Sequence, residues 1–442
     1  MFRLSDSTRR LVTLALFVLL CAAPTVTLSA LGLWRRLPGR TVSEQRRLSL
    51  LLGQPVRLQS LRHLSPSAVL YEGLEIHDPE TAAVLVRCDR LRVARQSSSP
   101  DKHGALAGPR LRLTAGTLAL DAESVRWLWP LMERLLQRRM GAGPPQIELV
   151  AESIAVCGAE ADFAIKQVRS RVTLRSEASQ IELGLQVEGY ETPKPVYLRI
   201  VRNRQLRPPV DGFDVFTGDG PLPCGLFAAV FPVFGGLGEG ARFEGYLVAN
   251  RAADGWEGEV LGELQNVDLK ELVGRRFPHE MSGAGRVALE RVRFRAGRVV
   301  SAQGAFHASN GRIGRSLINA LRGQLQLQGD FAGSGSGSLV PYEELGVRFY
   351  FDAAGLRIWG DCPASPAGTM IVYGYGQRLL QPAEPERPQR LPAAIAALSG
   401  SGEEELLFSP RTAWLIERLP LGRPGPAAAA AAPSGGVEPA PR

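Results

Sequence analysis

Lysine is almost absent from this chain. Of 52 basic residues only Lys102, Lys166, Lys194 and Lys270 are lysines, and the rest are arginines. No dense basic block and no aromatic–basic motif appears, which speaks against a nucleic-acid partner. The formal net charge of +8 therefore rests on Arg. Codon bias is one source of it, given the abundant Ala, Gly and Pro. Attraction to anionic lipid head groups is its functional reading. Cysteine is scarce too: five residues, widely spaced, with no C-x-x-C pair, so neither a zinc knuckle nor a redox motif is indicated. Cys21 lies inside an apolar run. Cys88, Cys157, Cys224 and Cys362 allow three disulfide pairings in an oxidising compartment, and read equally well as thiols packed like small hydrophobes.

Catalytic signatures are missing as well. The histidines at 63, 77, 103, 279 and 307 form no H-E-x-x-H or other i,i+4 pair. His77 before Asp78 is explained by a turn after a strand. Asp211, Asp214 and Asp219 lack the alternating oxygen ligands and closing Glu of a calcium loop. Gly236, Gly238 and Gly240 precede no G-K-[ST] and read as turn glycines. Ser99 and Lys102 match S-x-x-K, but Pro100 disfavours the helical turn that pair needs. No G-x-S-x-G elbow occurs. No catalytic, cofactor-binding or metal-binding residue is assigned, and a non-enzymatic protein without cofactors is expected.

Long apolar runs are absent with one exception. Residues 11–34, LVTLALFVLLCAAPTVTLSALGLW, carry no charge. As a helix they would reach about 36 Å, enough for a hydrocarbon core of about 30 Å. Arg9 and Arg10 precede the run, and Trp34, Arg35 and Arg36 close it, as at a membrane interface. A cleaved signal peptide is the rival reading, but Leu28-Ser29-Ala30 places Leu where cleavage wants a small residue. The expectation is a cytoplasmic stub (1–10), a single-pass anchor (11–34) and a large domain outside the cytoplasm, since a long domain translocates largely regardless of flanking charge.

Beyond the anchor the pattern is mostly period two, the mark of sheets with one wet face. A short amphipathic helix is predicted at 41–52. Strands follow at 56–61, 68–77, 83–94 and 110–120, and the alternation slips once, near Cys88-Asp89. Asp78-Pro79-Glu80-Thr81 reads as a turn. Residues 123–140 read as an amphipathic helix, kinked or started by Pro130, that packs on a sheet or lies on a membrane surface. A meander is predicted at 146–156, 163–174, 180–189 and 195–201, then a Gly/Pro/Asp loop at 211–224 and a short helix at 225–234. Strands resume at 241–249, 256–265, 285–294 and 298–308, with Asp268 as a helix N-cap. A helix at 313–321, further strands at 324–331, 345–352, 356–360 and 369–375, a Pro-rich linker at 382–389 and a helix at 409–418 complete the series. The fold class is mainly β: a transmembrane helix, then a long curved antiparallel sheet or groove, or several β-meander modules, with a few short helices. Roughly 15 strands about 4.8 Å apart would extend about 70 Å, so such a sheet must curl, split or close. The domains expected are a β-rich module at 41–205, a second at 206–380, a linker with a short helix at 381–420 and a disordered tail at 421–442.

Two stretches resemble a known family. LSLLLGQPVRLQSLRHLSPSAVLYEGLEIHDPETAAVLVRCDRLRVAR, following the anchor, resembles the start of the AsmA-like envelope proteins, relatives of the bridge-like lipid-transfer proteins. GRVVSAQGAFHASNGRIGRSLINALRG, followed by LVPYEELGVRFYFDAAGLRIWG, resembles that family's C-terminal region. The resemblance implies a bacterial inner-membrane anchor, a periplasmic β-groove with an apolar interior, membrane phospholipid as partner and a role in outer-membrane upkeep. It carries over no catalytic residue. Two alternatives stay open: a scaffold or assembly factor that binds other envelope proteins and holds no lipid, and an envelope enzyme without a recognised site.

Overall fold

Alternating strands closed by tight turns dominate the computed structural model. It describes residues 39–96, 110–137, 146–157, 162–175, 177–228, 234–275, 277–325, 338–373, 377–380 and 388–389, with Ile395, Leu398 and Ser399. The predicted anchor at 11–34, the helix at 409–418 and the tail lie outside the described residues, as do Ser99 and Lys102. No helix among the described residues is long and apolar enough to cross a membrane.

The chain forms two units, dividing between Glu188 and Gly189. That division falls before the boundary expected at 205/206, because the strand over 196–203 pairs forward within the second unit.

The first unit opens with helix α1 (Gly39–Leu52). It continues with β1 (Val56–Arg57), β2 (Ser60–Ser65), β3 (Ala68–His77), β4 (Val84–Gln96), β5 (Arg110–Asp121), helix α2 (Ala122–Gln137), β6 (Gln146–Cys157), β7 (Asp162–Leu174) and β8 (Ala178–Val187). The single strand expected at 56–61 is two, both paired to β3. Neighbours from β3 to β5 and from β6 to β8 are antiparallel. An all-antiparallel sheet is corrected at one place: β5 and β6 are parallel. Helix α2 returns the chain to the end of the sheet where β5 began, so β6 must run the same way. The helix passes through Pro130 rather than starting there. Leu136 is buried and α2 packs on the sheet.

The slip in alternation near Cys88 is one part of a crease that crosses five strands. Buried or half-buried side chains stand three apart instead of two at Tyr71/Leu74, Cys88/Leu91, Ala115/Leu118, Ala151/Ile154 and Ile165/Val168. The pairing aligns these positions from strand to strand, and the inserted residues fall side by side. Gly73 and Gln167 take φ of 59° and 53° there. An added residue bends and twists a strand locally. Aligned across the sheet, the additions keep the apolar set on one face.

The second unit contains β9 (Val196–Asn203), β10 (Val210–Phe216), β11 (Leu222–Pro223), helix α3 (Cys224–Ala228), β12 (Arg242–Ala252), β13 (Gly255–Asp268), a π-turn (Lys270–Gly274), β14 (Met281–Arg295), β15 (Arg298–Gly314), helix α4 (Arg315–Leu325), β16 (Leu339–Asp352), β17 (Gly355–Gly360), β18 (Thr369–Tyr373) and β19 (Gln377–Leu380). All its pairings are antiparallel. The loop expected at 211–224 is corrected: Val210–Phe216 is a full strand between β9 and β12. Its aspartates face cations across the ladder, which offsets their poor strand propensity. Helix α4 starts at Arg315, leaving Ile313 in β15, and most of the strand expected at 324–331 lies outside the described residues. β19 was not predicted. The cap position of the π-turn is Leu269 rather than the expected Asp268, whose Oδ1 accepts from the Lys270 amide at 2.9 Å.

Helix α1 ends at Gly53, whose φ of 71° is the left-handed closure that favours glycine. Its amide donates to the Ser49 carbonyl at 2.8 Å, and Arg134 Nη1 donates to the Leu52 carbonyl at 3.3 Å. A Cβ at Gly53 would collide with that guanidinium. Gly53→Ala is expected to cost about 1 kcal/mol, measured as a lower urea midpoint for the first unit.

Candidate functional site

The strands of the second unit share one apolar face. The strand register places Leu198, Val215, Leu247, Val260, Val292, Ala302, Phe351 and Leu356 in one row across the strands β9, β10, β12–β17. The next rows hold Gly245, Gly262, Leu289, Gly304, Phe349 and Ile358, then Phe243, Leu264, Val287, Phe306 and Val347. Alternation puts all of them on the same side.

Glycines recur on this face, and aromatic rings lie over them. A Cβ at Gly258 would stand 2.8 Å from Phe294 Cζ, one at Gly285 2.7 Å from Phe306 Cε2, and one at Gly304 3.0 Å from Phe349 Cζ. The end of each ring therefore occupies the space of its neighbour's missing side chain, and the face forms a continuous apolar floor.

Cover over this floor is uneven. At one side Phe227, Phe234, Leu237 and Cys224 pack on Phe243, Val260 and Leu264. Another cluster, with Leu317 and Ile318 of α4 at its centre, packs on Phe306, Val347 and Phe349. Val215, Val292, Phe294, Ala302 and Leu356 are only half-buried, as are Val260, Leu289 and Phe349. Phe213 meets Trp256 edge-on, with ring centroids 5.1 Å apart.

The opposite face is a ladder of ion pairs. Arg199 pairs with Asp214, Arg286 with Glu263, Arg291 and Arg293 with Glu259, and Arg348 with both Glu290 and Asp361. A depression of about 460 Å³ on this side is lined by Phe216, Thr217, Asp219, Glu244, Glu263 and Arg286. Its Glu263 and Asp219 are met by Arg286 and Lys194.

The residues weighed in the sequence fall as follows. Asp211, Asp214 and Asp219 do not converge on one point: Arg202, Arg199 and Lys194 hold one each. Arg202 Nη1 donates to both Asp211 oxygens at 2.8 Å. His77 Nδ1 lies 3.1 Å from the Ala82 carbonyl, inside the turn at Asp78. That turn is tied by the Glu80 amide and Thr81 hydroxyl donating to the Asp78 carboxylate at 2.9 Å, which lowers the Asp78 pKa. His279 Nδ1 is 3.0 Å from Ser316 Oγ and His307 Nε2 is 3.6 Å from Asp361. Gly236 and Gly238 take φ of 89° and 96°, as turn glycines do. Among the described residues no group of three or more His, Cys, Asp or Glu is placed to hold a metal ion.

Cys88, Cys157, Cys224 and Cys362 are all free. Of the readings open in the sequence, the packed thiol holds for three of them. Burial pushes Cys88 up to about 11, and Cys224 and Cys362 up to about 12. Cys157 is exposed. Since the thiolate is the reactive form, maleimide at pH 7.5 is expected to modify Cys157 at least tenfold faster than the other three, read by peptide-resolved mass spectrometry. Equal rates would contradict the buried assignment.

Comparison with protein-family models, with curated proteins and with solved structures finds no match to this chain. The arrangement of the floor is therefore the principal guide to function.

Proposed function

We propose that this chain is a membrane-anchored envelope protein of AsmA-like type whose second unit holds phospholipid acyl chains on its apolar floor. The observation that carries the reading is the contrast between the two faces. One side holds cross-strand ion pairs, while the other offers rows of buried and half-buried Val, Leu and Phe. Apolar surface left partly exposed costs free energy in proportion to its area, about 25 cal/mol per Å². A contiguous patch of this kind marks a ligand or partner surface more often than plain solvent exposure. The anchor expected at 11–34 supplies the bilayer, and the sequence resemblance supplies the family. In this reading the protein works by binding or passing lipid, without covalent chemistry.

Photo-crosslinking tests it. A benzophenone amino acid at Val292 or Val215 of the full chain in cells is expected to form phospholipid adducts. The same group at Glu259, on the charged face, is expected to form none. Protein adducts at Val292 without lipid would replace this reading with the scaffold. No adducts at either floor position would mean that the floor is covered by the chain itself.

A further inference from the structure

Helix α1 turns a mixed face inward, with Leu48 and Leu52 half-buried beside Glu44, Gln45 and Ser49. Tyr71 Oη donates to Glu44 Oε1 at 3.0 Å, Gln45 Nε2 donates to the Leu58 carbonyl at 3.3 Å, and the Val56 amide donates to Ser49 Oγ at 3.0 Å. These bonds fix the rotation of the helix. They turn Val42, Leu50 and Leu51 outward, at 49%, 86% and 44% exposure. Leu64 of β2 is 52% exposed as well. Four of the seven large apolar side chains exposed among the described residues thus fall within residues 42–64.

A surface helix of a water-soluble domain normally turns its apolar stripe inward. Here Leu48 and Leu52 follow that rule, but hydrogen bonds hold Glu44, Gln45 and Ser49 on the same inward face and leave Val42, Leu50 and Leu51 outside. Arg46 and Arg47 stand among the outward leucines and are exposed themselves, Arg47 in an exposed ion pair with Glu44 at 3.3 Å that a lipid phosphate would compete with. Leucines at acyl-chain depth with arginines reaching back to the head groups is the chemistry of an interfacial helix. The place in the chain agrees. Gly39 follows Trp34, the end of the apolar run, by five positions. Five residues span at most about 18 Å, so a membrane-spanning 11–34 would start α1 beside the bilayer.

We propose that α1 lies on an anionic phospholipid bilayer, with Val42, Leu50 and Leu51 at the head-group boundary and Arg46 and Arg47 on lipid phosphates. The proposal rests on reading 11–34 as an anchor. It gives α1 the task of fixing how the first unit stands on the membrane.

The test uses the full chain with Cys21→Ala and Cys157→Ser, reconstituted in vesicles of phosphatidylcholine with phosphatidylglycerol. An environment-sensitive nitrobenzoxadiazole probe is placed at Leu50→Cys or, as a control, at Val300→Cys in the second unit. Quenching by doxyl-labelled lipid is expected at Leu50 and not at Val300. Arg46→Gln with Arg47→Gln is expected to reduce the Leu50 quenching at least twofold. A Leu50 probe reached by aqueous iodide as readily as Val300, and not by doxyl lipid, overturns the proposal. Carbonate extraction reports on the anchor separately. Protein resistant to carbonate with an aqueous Leu50 keeps the anchor and rejects the docking. Protein removed by carbonate but lipid-quenched at Leu50 beforehand keeps the docking and rejects the anchor. Protein that never floats with the vesicles rejects both. Leu50 is so exposed that its substitution leaves folding intact.

Discussion

Tyr342→Ala is expected to destabilise the second unit by about 4 kcal/mol, in the range of a large aromatic removed from a core. The side chain is 2% exposed and belongs to the cluster that includes Ile313, Ile318 and Tyr373. Its hydroxyl donates to the Ser282 carbonyl at 3.0 Å. It also sits against Gly283 and Gly311, where a Cβ would collide with the phenol. Those glycines belong to a second crease, in which Asn266, Gly283, Asn310 and Glu343 stand beside shifts in register on β13 to β16. Asn266, Gly283 and Asn310 take positive φ of 54°, 123° and 54°. Tyr342 thus fills the space that the bulges open. Losing it leaves a cavity and takes one hydrogen bond from the Ser282 carbonyl. Tyr342→Phe removes the hydrogen bond alone and is expected to cost about 1 kcal/mol. Hydrogen exchange resolved to β14–β16 checks both values without assuming that the two units unfold together.

The same group predicts a pH dependence. Burial raises the Tyr342 phenol from its ordinary 10.0 to about 12. The unfolded chain therefore releases this proton first as pH rises. The contribution of the buried phenol is whole below pH 10 and is lost between about 10 and 12. Tyr342→Phe is expected to flatten that part of the stability profile.

Much of this architecture was visible in the sequence, and the reasons for the gaps are physical. The strand ends at Ala68 and His77 follow from alternation bounded by turn residues, and the structure has both. The slip at Cys88-Asp89 was also visible, but its meaning was not. A single missed beat in one strand reads as noise. Only the register shows that β3 to β7 miss the same beat side by side. In the segment at 211–224, Asp and Gly signal a loop in a local window. The partners that make it a strand, Arg199 and Arg202, lie on β9. The parallel step was hidden for a similar reason, since alternation reports which face a residue takes and not which way its strand runs. For the candidate site, the alternating Leu and Val of the floor were legible. The pairing of glycine with a ring on the next strand was not, although Gly and Phe recur through 243–306. Aromatic residues lying over strand glycines are a known device for filling a bare backbone, and recognising one needs the register first.

Gly304→Val is the sharpest test of that floor. A Cβ at Gly304 would fall against the Ala288 carbonyl oxygen of β14 and within 3.0 Å of Phe349 Cζ. The ring is the far end of a side chain and can lift, but the carbonyl is backbone and cannot yield without parting β14 from β15. A cost of roughly 3 kcal/mol is expected, at the upper end for overpacking. Faster exchange at β14–β15 amides would show it. Gly184→Ala in β8 is the control, because nothing stands within 4 Å of its missing Cβ. That change is expected to stay within about 0.5 kcal/mol of the parent. Gly304→Ala brings the same Cβ against that carbonyl, so most of the cost is expected to remain, and it too displaces the Phe349 ring. A displaced ring narrows the space above Leu289 and Val292. If acyl chains occupy that space, lipid adducts at Val292 fall several-fold in protein that is still folded. Unchanged adducts in a folded variant would mean that lipid, where present, does not run over this row.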